Sequence, residues 1–488
     1  MIAYTLYLPV VLVALVAISY LHVAFRKGLR EIPGPLLARF SSFYRVALVY
    51  NGEAPKHYRN LHEKYGQIVR VGPNEVSVSD PDMVPVIYGI GSKFLKVIDS
   101  MFSTRDPEYH KNLKRPVAQL FSMTNMKNYE PYADECTGLF IDAMCAVEGQ
   151  VLDLGVWLQY YAFDVIAYIT FQRRFRFLDE RRDVDNMISD LDAVQGYLKL
   201  IGQIPWAHPY LLGNRILVGL AKMLATVPDP LYSFLKITED EIHRYDHEGR
   251  TSQGQRTDFL AQIRQKTEKD GKITQTDMVN HLSNNIIAGS DTTAISLRAI
   301  FYNLMKHPQV YQKLQAEIDE ADREGKLSPY VTYEECLRLP YLQAVMKEAM
   351  RVHPGVGLPL ERYVPAEGAT ICGVFLPGGT NVFISAPVLH SDKRVFGPDA
   401  DLYRPERWIE SSEEQLKVME RSFLAFGHGV RTCIGKNISI LEMGKFVPQI
   451  LRHLDVQWAG DKPEWDTHCN FFWKQTNMPV VFKVREKR

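Results

Sequence analysis

The sequence predicts a mainly α-helical protein with small β-sheets, preceded by one N-terminal transmembrane helix. Three observations lead to this fold class: an uncharged apolar stretch at the N terminus, helical periodicity from about Asp106 to Ala321, and two short stretches of alternating apolar and polar residues. Of the 488 residues, 46% are hydrophobic and 23% are charged. This composition is ordinary for a globular protein with a sizeable core.

The N-terminal stretch predicts a membrane anchor. Residues Ile2 to Phe25 contain no Asp, Glu, Lys or Arg, and as a helix they are long enough to cross a hydrocarbon core of ~30 Å. The basic run RKGLR follows at once, so the positive-inside rule places the catalytic body in the cytosol. A cleaved signal peptide is the competing interpretation, but the apolar stretch is too long and lacks a charged leading segment. We therefore expect residues 1–25 to form an uncleaved anchor.

The rest of the chain predicts a hinge followed by one large domain. EIPGP predicts a stiff, non-helical bend, so residues 26–35 form a basic and proline-rich hinge. Ile68 to Pro81 predicts a β-hairpin, and Ala369 to Pro387 predicts a second β region with a Pro-Gly-Gly turn. Between them the periodicity is mainly helical, with breaks at Pro205, Pro209, Pro228 and Pro230. Residues 36–488 are therefore predicted to be a single domain.

Charge and cysteine content exclude several classes of protein. Lys plus Arg and Asp plus Glu both number 57, so nothing indicates a nucleic-acid partner. The six cysteines are scattered without a CxxC pair, which argues against a zinc cluster and against a disulfide framework. A single cysteine is by default a small buried hydrophobic residue, so a functional role needs further evidence.

A long helix is predicted around Asn280 to Pro308. A start resembling a capping box, Thr274-x-x-Asp277, precedes it, and His307-Pro308 ends it. A helix of roughly 30 residues is long for a globular protein, so we expect it to cross the core.

The middle of this helix carries AGSDTT, residues 288–293. Gly289 costs about 1 kcal/mol relative to alanine, and Asp291 is unfavourable in a core unless it is paired. Thr292 can donate a hydrogen bond to the carbonyl four residues earlier and bend the helix. Two interpretations stay open: a simple kink, or a locally opened helix that holds an acid and a hydroxyl beside a ligand for proton transfer.

Glu348 and Arg351 are three residues apart on a second predicted helix, so they share a face and can pair. Such pairs are normally solvated contacts, typically worth roughly 0.5 kcal/mol. The segment YRPERW offers Arg407 as a second guanidinium for the same carboxylate.

The stretch FLAFGHGVRTCIGKN places a cysteine in a sharply bent loop. Gly427, Gly429 and Gly435 permit backbone conformations and close approaches that side chains forbid. A helix is predicted from Gly435 onward, so Cys433 lies near its N terminus, where peptide dipoles favour a thiolate. Arg431 can direct a positive charge toward an anionic group of a cofactor. This composition suits a thiolate ligand to iron.

With these elements in chain order, the sequence closely resembles the cytochrome P-450 family of haem-thiolate monooxygenases. The run from Phe426 to Gly435 fills every position of the family's haem-binding signature, and Glu348-x-x-Arg351 matches its structural helix motif. Pro405 to Trp408 matches the partner segment of that motif, and residues 288–293 match the oxygen-activating helix. The resemblance implies a cytochrome P-450 fold. It is strongest to the microsomal class and to filamentous-fungal members of secondary metabolism, including pisatin-demethylase-like enzymes.

The resemblance also implies roles for individual residues. Cys433 would be the axial ligand of haem b iron, while Asp291 and Thr292 would supply protons during oxygen activation. At two of the propionate-binding positions, His110 and Lys114 stand where Trp and Arg are commoner, and lysine lacks the planar fork of arginine. The full set of implied haem-binding residues is His110, Lys114, Arg362, Phe426, Arg431 and Gly435. Glu348, Arg351 and Arg407 would form a buried structural network.

The implied activity is oxidation of an apolar small molecule, such as a polyketide, terpenoid or alkaloid intermediate, with O2. Electrons would come from a separate NADPH-cytochrome P-450 reductase, with cytochrome b5 as a further donor. The implied location is the endoplasmic reticulum membrane, with a single-pass anchor. The alternatives are a haem-thiolate isomerase or dehydratase that needs no O2, a non-catalytic haem protein, and a sterol demethylase. The intact Asp291-Thr292 pair favours the monooxygenase.

The substrate pocket is outlined only by the resemblance. Two asparagines, Asn284 and Asn285, could form hydrogen bonds with a hydroxyl or carbonyl group of a ligand, whereas the aromatic residues nearby are by default core residues. The other implied walls are Ile90 to Arg105, Gln195 to Leu235, Ala288, Val356 to Leu358, and Phe471 to Thr476.

Overall fold

The structure is a computed structural model of the full chain. It describes residues 2–90, 92, 107–214, 216–217, 219–220, 230–247, 256–271 and 273–486. Most of the predicted pocket wall between Ile90 and Arg105, and part of the one between Gln195 and Leu235, lie outside the described residues.

The described elements are mainly helical, as the sequence predicts. The helices are α1 (Ile2–Ala24), α2 (Phe43–Tyr50), α3 (Ala54–Tyr65), α4 (Met83–Tyr88), α5 (Pro107–Val117), α6 (Glu130–Ala146), α7 (Leu154–Phe171), α8 (Phe177–Glu180), α9 (Met187–Ile201), α10 (Pro230–His247), α11 (Phe259–Asp270), α12 (Gln275–Lys306), α13 (Pro308–Arg323), α14 (Tyr333–Cys336), α15 (Pro340–Val352), α16 (Ala386–Leu389), α17 (Lys393–Phe396), α18 (Arg407–Glu410), α19 (Glu413–Ser422) and α20 (Lys436–His453). The strands are β1 (Ile68–Arg70), β2 (Glu75–Val78), β3 (Val151–Asp153), β4 (Arg362–Tyr363), β5 (Ala369–Ile371), β6 (Val374–Leu376), β7 (Asn381–Ile384), β8 (Leu454–Trp458), β9 (Asp466–Cys469), β10 (Trp473–Thr476) and β11 (Pro479–Val484).

The strands form small sheets, and both predicted β regions contribute to them. One sheet has the order β1-β2-β7-β4, in which β1 and β2 form the predicted antiparallel hairpin and β7 pairs parallel to β2. In the second region, β5 and β6 form a hairpin that turns at Cys372 and Gly373, both with positive φ. The Pro-Gly-Gly turn instead leads from β6 into β7, in the larger sheet.

Helix α12 lies in the core and organises it. Thr274 and Asp277 form the predicted capping box, and the helix ends at His307 before Pro308. The helix is continuous from Gln275 to Lys306, so the locally opened helix, one of the two interpretations of residues 288–293, is not present. Most of its side chains are buried, and they belong to the largest hydrophobic cluster together with residues of α6, α7 and α20.

A glycine is needed at position 289 because α12 packs closely against α7 there, and not because the helix opens. A Cβ atom at this position would lie 2.6 Å from Cγ1 of Ile166 in α7. Any larger residue would therefore push α7 and α12 apart. The helix cost of glycine is offset by this close approach of two helices.

The N-terminal segment is tied to the first sheet by Arg70. This fully buried guanidinium donates to the carbonyls of Val23 and Ala24, at 2.8 and 2.7 Å, in the last turn of α1. A positive charge at a helix C terminus is favourable because of the helix dipole. The segment EIPGP is non-helical, as predicted, and Arg70 N–H donates to the Pro33 carbonyl at 2.8 Å. Among the described residues, no helix combines the length and apolarity needed to cross a bilayer, so the predicted anchor is not confirmed.

Candidate active site

The loop that carries Cys433 is built as the sequence predicts. Cys433 N–H donates to the Phe426 carbonyl at 2.8 Å, which closes the turn, and α20 begins three residues later with Gly435 as its N-cap. Gly427 and Gly429 both have left-handed backbone, at φ 72° and 66°. At Gly429 a Cβ atom would lie 2.0 Å from the Tyr88 carbonyl oxygen, so only glycine lets the loop approach α4.

Tyr88 is an organising residue that the sequence analysis missed. Its hydroxyl donates to the Leu360 carbonyl at 2.8 Å and accepts from Ile384 N–H at 2.8 Å. The Arg362 guanidinium lies over its ring at 4.8 Å. Tyr88 thus links β7 to the segment that carries Arg362, and its backbone lies against the cysteine loop at Gly429. A lone tyrosine in a short helix carries no sequence signal for such a role.

The surroundings of the Cys433 side chain determine how readily its thiol loses a proton. The side chain is accessible to solvent, yet protein surrounds it closely enough that burial raises the pKa of the thiol. Backbone N–H groups of Gly435 and Lys436, and the charges of Lys114 and Lys436, act in the opposite direction and lower that pKa. These groups would stabilise a thiolate once a metal ion replaces the proton.

Cationic side chains from three separate segments gather beside this loop. Lys114 Nζ donates to the Val430 carbonyl at 3.1 Å, and its pKa is lowered by burial and then by the charge of Arg431. The pKa of Arg431 is lowered by burial and then by the charge of Arg362. Like charges held together in this way are costly unless an anionic group joins them. The cluster therefore fits the carboxylates of a haem group, with Cys433 as the thiolate beside them.

The remaining predicted haem-binding residues also lie at or near this loop. His110 is buried one turn before Lys114 on α5. Arg362 is 95% buried in β4 and donates to the Glu361 carbonyl at 2.8 Å. Glu361 in turn pairs with the buried Arg45, a contact that the sequence does not indicate. Phe426 is partly exposed beneath the Lys436 ammonium, at 5.7 Å.

One face of α12 is accessible, in contrast to the rest of this mostly buried helix. Asn284 and Ala288 are exposed and Thr292 is partly exposed, although their neighbours on the helix are mostly buried. Thr292 Oγ1 donates to the Ala288 carbonyl at 2.8 Å, the back-bond expected from the sequence. The next residue, Thr293, donates to Ser439 Oγ of α20 at 3.2 Å. This contact places the Thr292 turn beside the helix that follows Cys433.

Asp291 points away from that open face. Its carboxylate is buried and accepts from Gln159 Nε2 of α7 at 3.2 Å and from Gln195 Nε2 of α9 at 2.7 Å. Arg298 fixes the orientation of the Gln159 amide by donating to its Oε1 at 2.7 Å. Burial raises the pKa of Asp291, while the Arg298 charge and the Gln195 hydrogen bond lower it. Asp291 and Thr292 are therefore adjacent in sequence, but their side chains bond to different partners. Asp291 accepts from glutamines of α7 and α9, whereas Thr292 donates to a carbonyl of its own helix.

Glu348 is the centre of a fully buried polar cluster, as the resemblance implies. Its two oxygens accept from Arg351 Nε and Nη2 at 2.9 and 2.7 Å, and from Arg407 Nε at 2.8 Å. Trp408 Nε1 and the Arg404 backbone N–H, both at 2.9 Å, complete the set of donors. The pair is thus buried and not the solvated contact that spacing alone suggests.

The predicted substrate walls that fall on described residues are partly brought together. Val356 and Phe472 form an isolated β-bridge, and Gly357 N–H donates to the Phe471 carbonyl at 3.1 Å. Gly355 lies beside the Thr292 carbonyl, since a Cβ atom there would be 3.9 Å away. The segments 355–358 and 471–476 therefore lie near the open face of α12.

Comparisons with known proteins identify the family of this chain. The family model for cytochrome P-450 matches residues 33–482. A cytochrome P-450 monooxygenase of Aspergillus terreus is 37% identical over 468 residues, which cover 92% of this chain and 95% of the relative. The monooxygenase cicH of Emericella nidulans is 37% identical, and the match covers 97% of this chain and 97% of the relative. Pisatin demethylase of Fusarium vanettenii is 33% identical, with 96% of this chain and 91% of the relative covered. The chain therefore belongs to the cytochrome P-450 family of monooxygenases, which bind haem b through a cysteine thiolate and act on small molecules with O2 and a redox partner.

Proposed function

We propose that this enzyme oxidises an apolar small molecule, an intermediate of fungal secondary metabolism, with O2 and electrons from NADPH-cytochrome P-450 reductase. The observation that carries the proposal is the arrangement around Cys433. A solvent-accessible thiol lies beside Lys114, Arg362 and Arg431. The accessible face of α12 that carries Thr292 lies next to the helix that follows this thiol, since Thr293 donates to Ser439. The relatives named above are fungal monooxygenases, and one of them is named a demethylase of pisatin.

The proposed function gives each candidate site residue a defined task. Cys433 holds the haem iron, and Lys114, Arg362, Arg431 and His110 hold its propionates. The bound haem supplies the redox chemistry of oxygen activation. Thr292 Oγ1 donates to the Ala288 carbonyl, so its lone pairs remain for a hydrogen bond from a group in the open space.

Asp291 is the proposed source of the protons. Because burial raises its pKa, its carboxyl takes up a proton more readily than an exposed aspartate does. To pass that proton toward Thr292 the carboxyl must turn toward the open face of α12, because Gln159 and Gln195 hold it on the buried side of the helix.

The test of this function is oxygen incorporation. The haem-loaded full-length chain is mixed with NADPH-cytochrome P-450 reductase, NADPH and an extract of fungal secondary metabolites under isotopically labelled O2. We expect mass spectrometry to find products that carry one labelled oxygen atom and that disappear without NADPH. Conversion that proceeds equally without O2 and NADPH would instead support an isomerase or dehydratase.

Thr292→Ala is expected to uncouple NADPH use from product formation. Without the hydroxyl, proton delivery is slowed, so product formed per NADPH falls at least about tenfold and hydrogen peroxide is released. Thr293→Ala is the matched control, because its hydroxyl bonds to Ser439 of α20. Peroxide, product and NADPH are measured for both variants. Equal coupling in Thr292→Ala and the wild type would show that proton delivery uses another group.

We place the enzyme at the endoplasmic reticulum membrane, attached through its N-terminal segment with the catalytic domain in the cytosol. The support is the uncharged sequence from Ile2 to Phe25 and the exposure of Leu15, Ile18 and Leu21 on α1. Alkaline carbonate extraction of microsomes from expressing cells should leave the full chain in the pellet and release a variant that lacks residues 2–24. Release of the full chain would contradict the proposed attachment.

A further inference from the structure

A row of aromatic side chains connects the end of α15 with α12. His353, the residue that follows α15, lies between two tryptophans: its ring centroid is 4.6 Å from that of Trp473 and 5.0 Å from that of Trp465. Trp465 stacks in turn on Tyr302 of α12, with centroids 4.0 Å apart and ring planes inclined by 3°. We call these four residues the aromatic row.

The aromatic row starts beside the candidate active site. Gly355, two residues after His353, lies next to the Thr292 carbonyl oxygen, since a Cβ atom there would be 3.9 Å away. Tyr302 is ten residues after Thr292 on α12, which is about 15 Å along the helix axis. Electron transfer slows exponentially with distance. A series of ring-to-ring contacts therefore permits it over a span that a single step would cross slowly.

Tyr302 has a proton acceptor for its own oxidation. Its hydroxyl donates to the Glu464 carboxylate. Burial, and then this carboxylate, raises the pKa of Tyr302, so the phenol keeps its proton near pH 7. A phenol is readily oxidised when its proton leaves together with the electron, because the phenol radical cation is a very strong acid. Glu464 can take that proton along the existing hydrogen bond.

The charges around the aromatic row favour an uncharged radical on Tyr302. Burial lowers the pKa of His353 to about 3, so its ring is neutral and does not repel a positive charge on a neighbouring tryptophan. Trp458 of β8 also contacts Tyr302, with centroids 5.8 Å apart. The Lys306 ammonium lies 4.1 Å from the Trp458 ring centroid and disfavours a positive charge there. Tyr302 loses a proton with its electron, so its radical avoids this repulsion.

We propose that Tyr302 supplies an electron, through Trp465 and Trp473, to the haem group when that group is oxidised with no substrate to consume the oxidant. One electron passes to the haem group, the O–H bond of Tyr302 breaks, and the proton passes to the Glu464 carboxylate. A one-electron reductant in solution, such as ascorbate, then returns an electron through the partly exposed Trp465, and Glu464 returns the proton. The path protects the haem group and the surrounding protein from oxidation. It goes beyond the proposed function, since it requires bound haem but no particular substrate.

The experiment detects the radical by electron paramagnetic resonance. The haem-loaded full-length chain, without a substrate, is mixed with hydrogen peroxide and frozen within milliseconds. Peroxide takes two electrons and two solvent protons and yields two water molecules; the electrons come from the haem group, and Tyr302 returns one of them. We expect a radical signal in the wild type that narrows when the protein contains ring-deuterated tyrosine. Tyr302→Phe, which keeps the ring, should lose this signal, and its Soret band should bleach faster.

Tyr168→Phe is the matched control. The Tyr168 hydroxyl also donates to a carboxylate, that of Glu135 at 2.8 Å, but its ring packs on Tyr132, so this variant should keep the signal. Glu464→Gln removes the proton acceptor at an exposed position and should lower the signal at least about tenfold.

Three results would contradict the proposal: a wild type without a tyrosyl signal, an unchanged signal in Tyr302→Phe or Glu464→Gln, or a signal that disappears in Tyr168→Phe. Oxygen incorporation into a product is measured separately. Failure of this inference and failure of the proposed function are therefore distinguishable.

Discussion

Glu348→Ala is expected to yield little folded, haem-loaded protein. The substitution removes the carboxylate that accepts hydrogen bonds from Arg351, Arg407 and Trp408 in a fully buried cluster. Removing one partner of a buried ion pair leaves an uncompensated charge, and this typically costs about 3–5 kcal/mol. Arg407 keeps its pair with Asp399 at 3.0 Å, but among the described residues Arg351 retains only backbone carbonyls as acceptors. The expected loss is large against a net stability of roughly 5–15 kcal/mol for a typical protein.

The cluster also supports the cysteine loop through His390. Arg351 Nη1 donates to the His390 backbone carbonyl at 2.7 Å, and His390 Nε2 accepts from Leu424 N–H at the start of the loop at 2.8 Å. Burial lowers the pKa of His390 to about 3, so its ring is neutral near pH 7 and Nε2 keeps the lone pair that this bond requires. The ring stacks on Phe423, with centroids 5.4 Å apart. We therefore expect haem incorporation to fall together with stability.

Haem content per purified protein and thermal unfolding measure both effects. Glu420→Ala is a suitable control, because Glu420 pairs with Lys347, next to Glu348, but is exposed. Exposed pairs contribute about 0–1 kcal/mol, so this variant should resemble the wild type. Wild-type haem content in Glu348→Ala would show that the cluster does not support the loop.

Cys433→Ala is expected to abolish the thiolate-type haem spectrum and to reduce oxygen-dependent product formation to background. The thiolate is the proposed iron ligand, and alanine cannot coordinate a metal. The fold itself should survive, because the Cys433 backbone N–H still donates to the Phe426 carbonyl. The loss should therefore appear without a large change in circular dichroism.

The measurement is the carbon monoxide difference spectrum of the reduced protein. The wild type should show the strongly red-shifted Soret band of a thiolate-ligated haem, and Cys433→Ala should lack it. Cys372→Ala is the control, since this partly buried cysteine lies in the turn of the β5–β6 hairpin, where its thiol lies 3.7 Å from Asp80. Retention of the red-shifted band in Cys433→Ala would mean that another residue ligates the iron.

The sequence predicts much of the fold and of the site because the relevant signals are local. The capping box at Thr274 and the ends of α12 depend on backbone hydrogen bonds within a few residues. The glycines around Cys433 act in the same local way, since left-handed backbone at Gly427 and Gly429 favours glycine whatever the surroundings. The pairing of Glu348 with Arg351 also follows from helix spacing.

What the tertiary structure decides is which groups face each other across elements distant in sequence. The sequence leaves a simple kink and a locally opened helix as alternatives at residues 288–293, but the structure shows a continuous helix that approaches Ile166 of α7. The sequence places Asp291 beside Thr292, but Gln159 and Gln195, from α7 and α9, hold the carboxylate. It treats Asn284 and Asn285 alike, although only Asn285 reaches Thr170. A step of one residue along a helix turns the side chain by about 100°, so its partner depends on which element packs on that side.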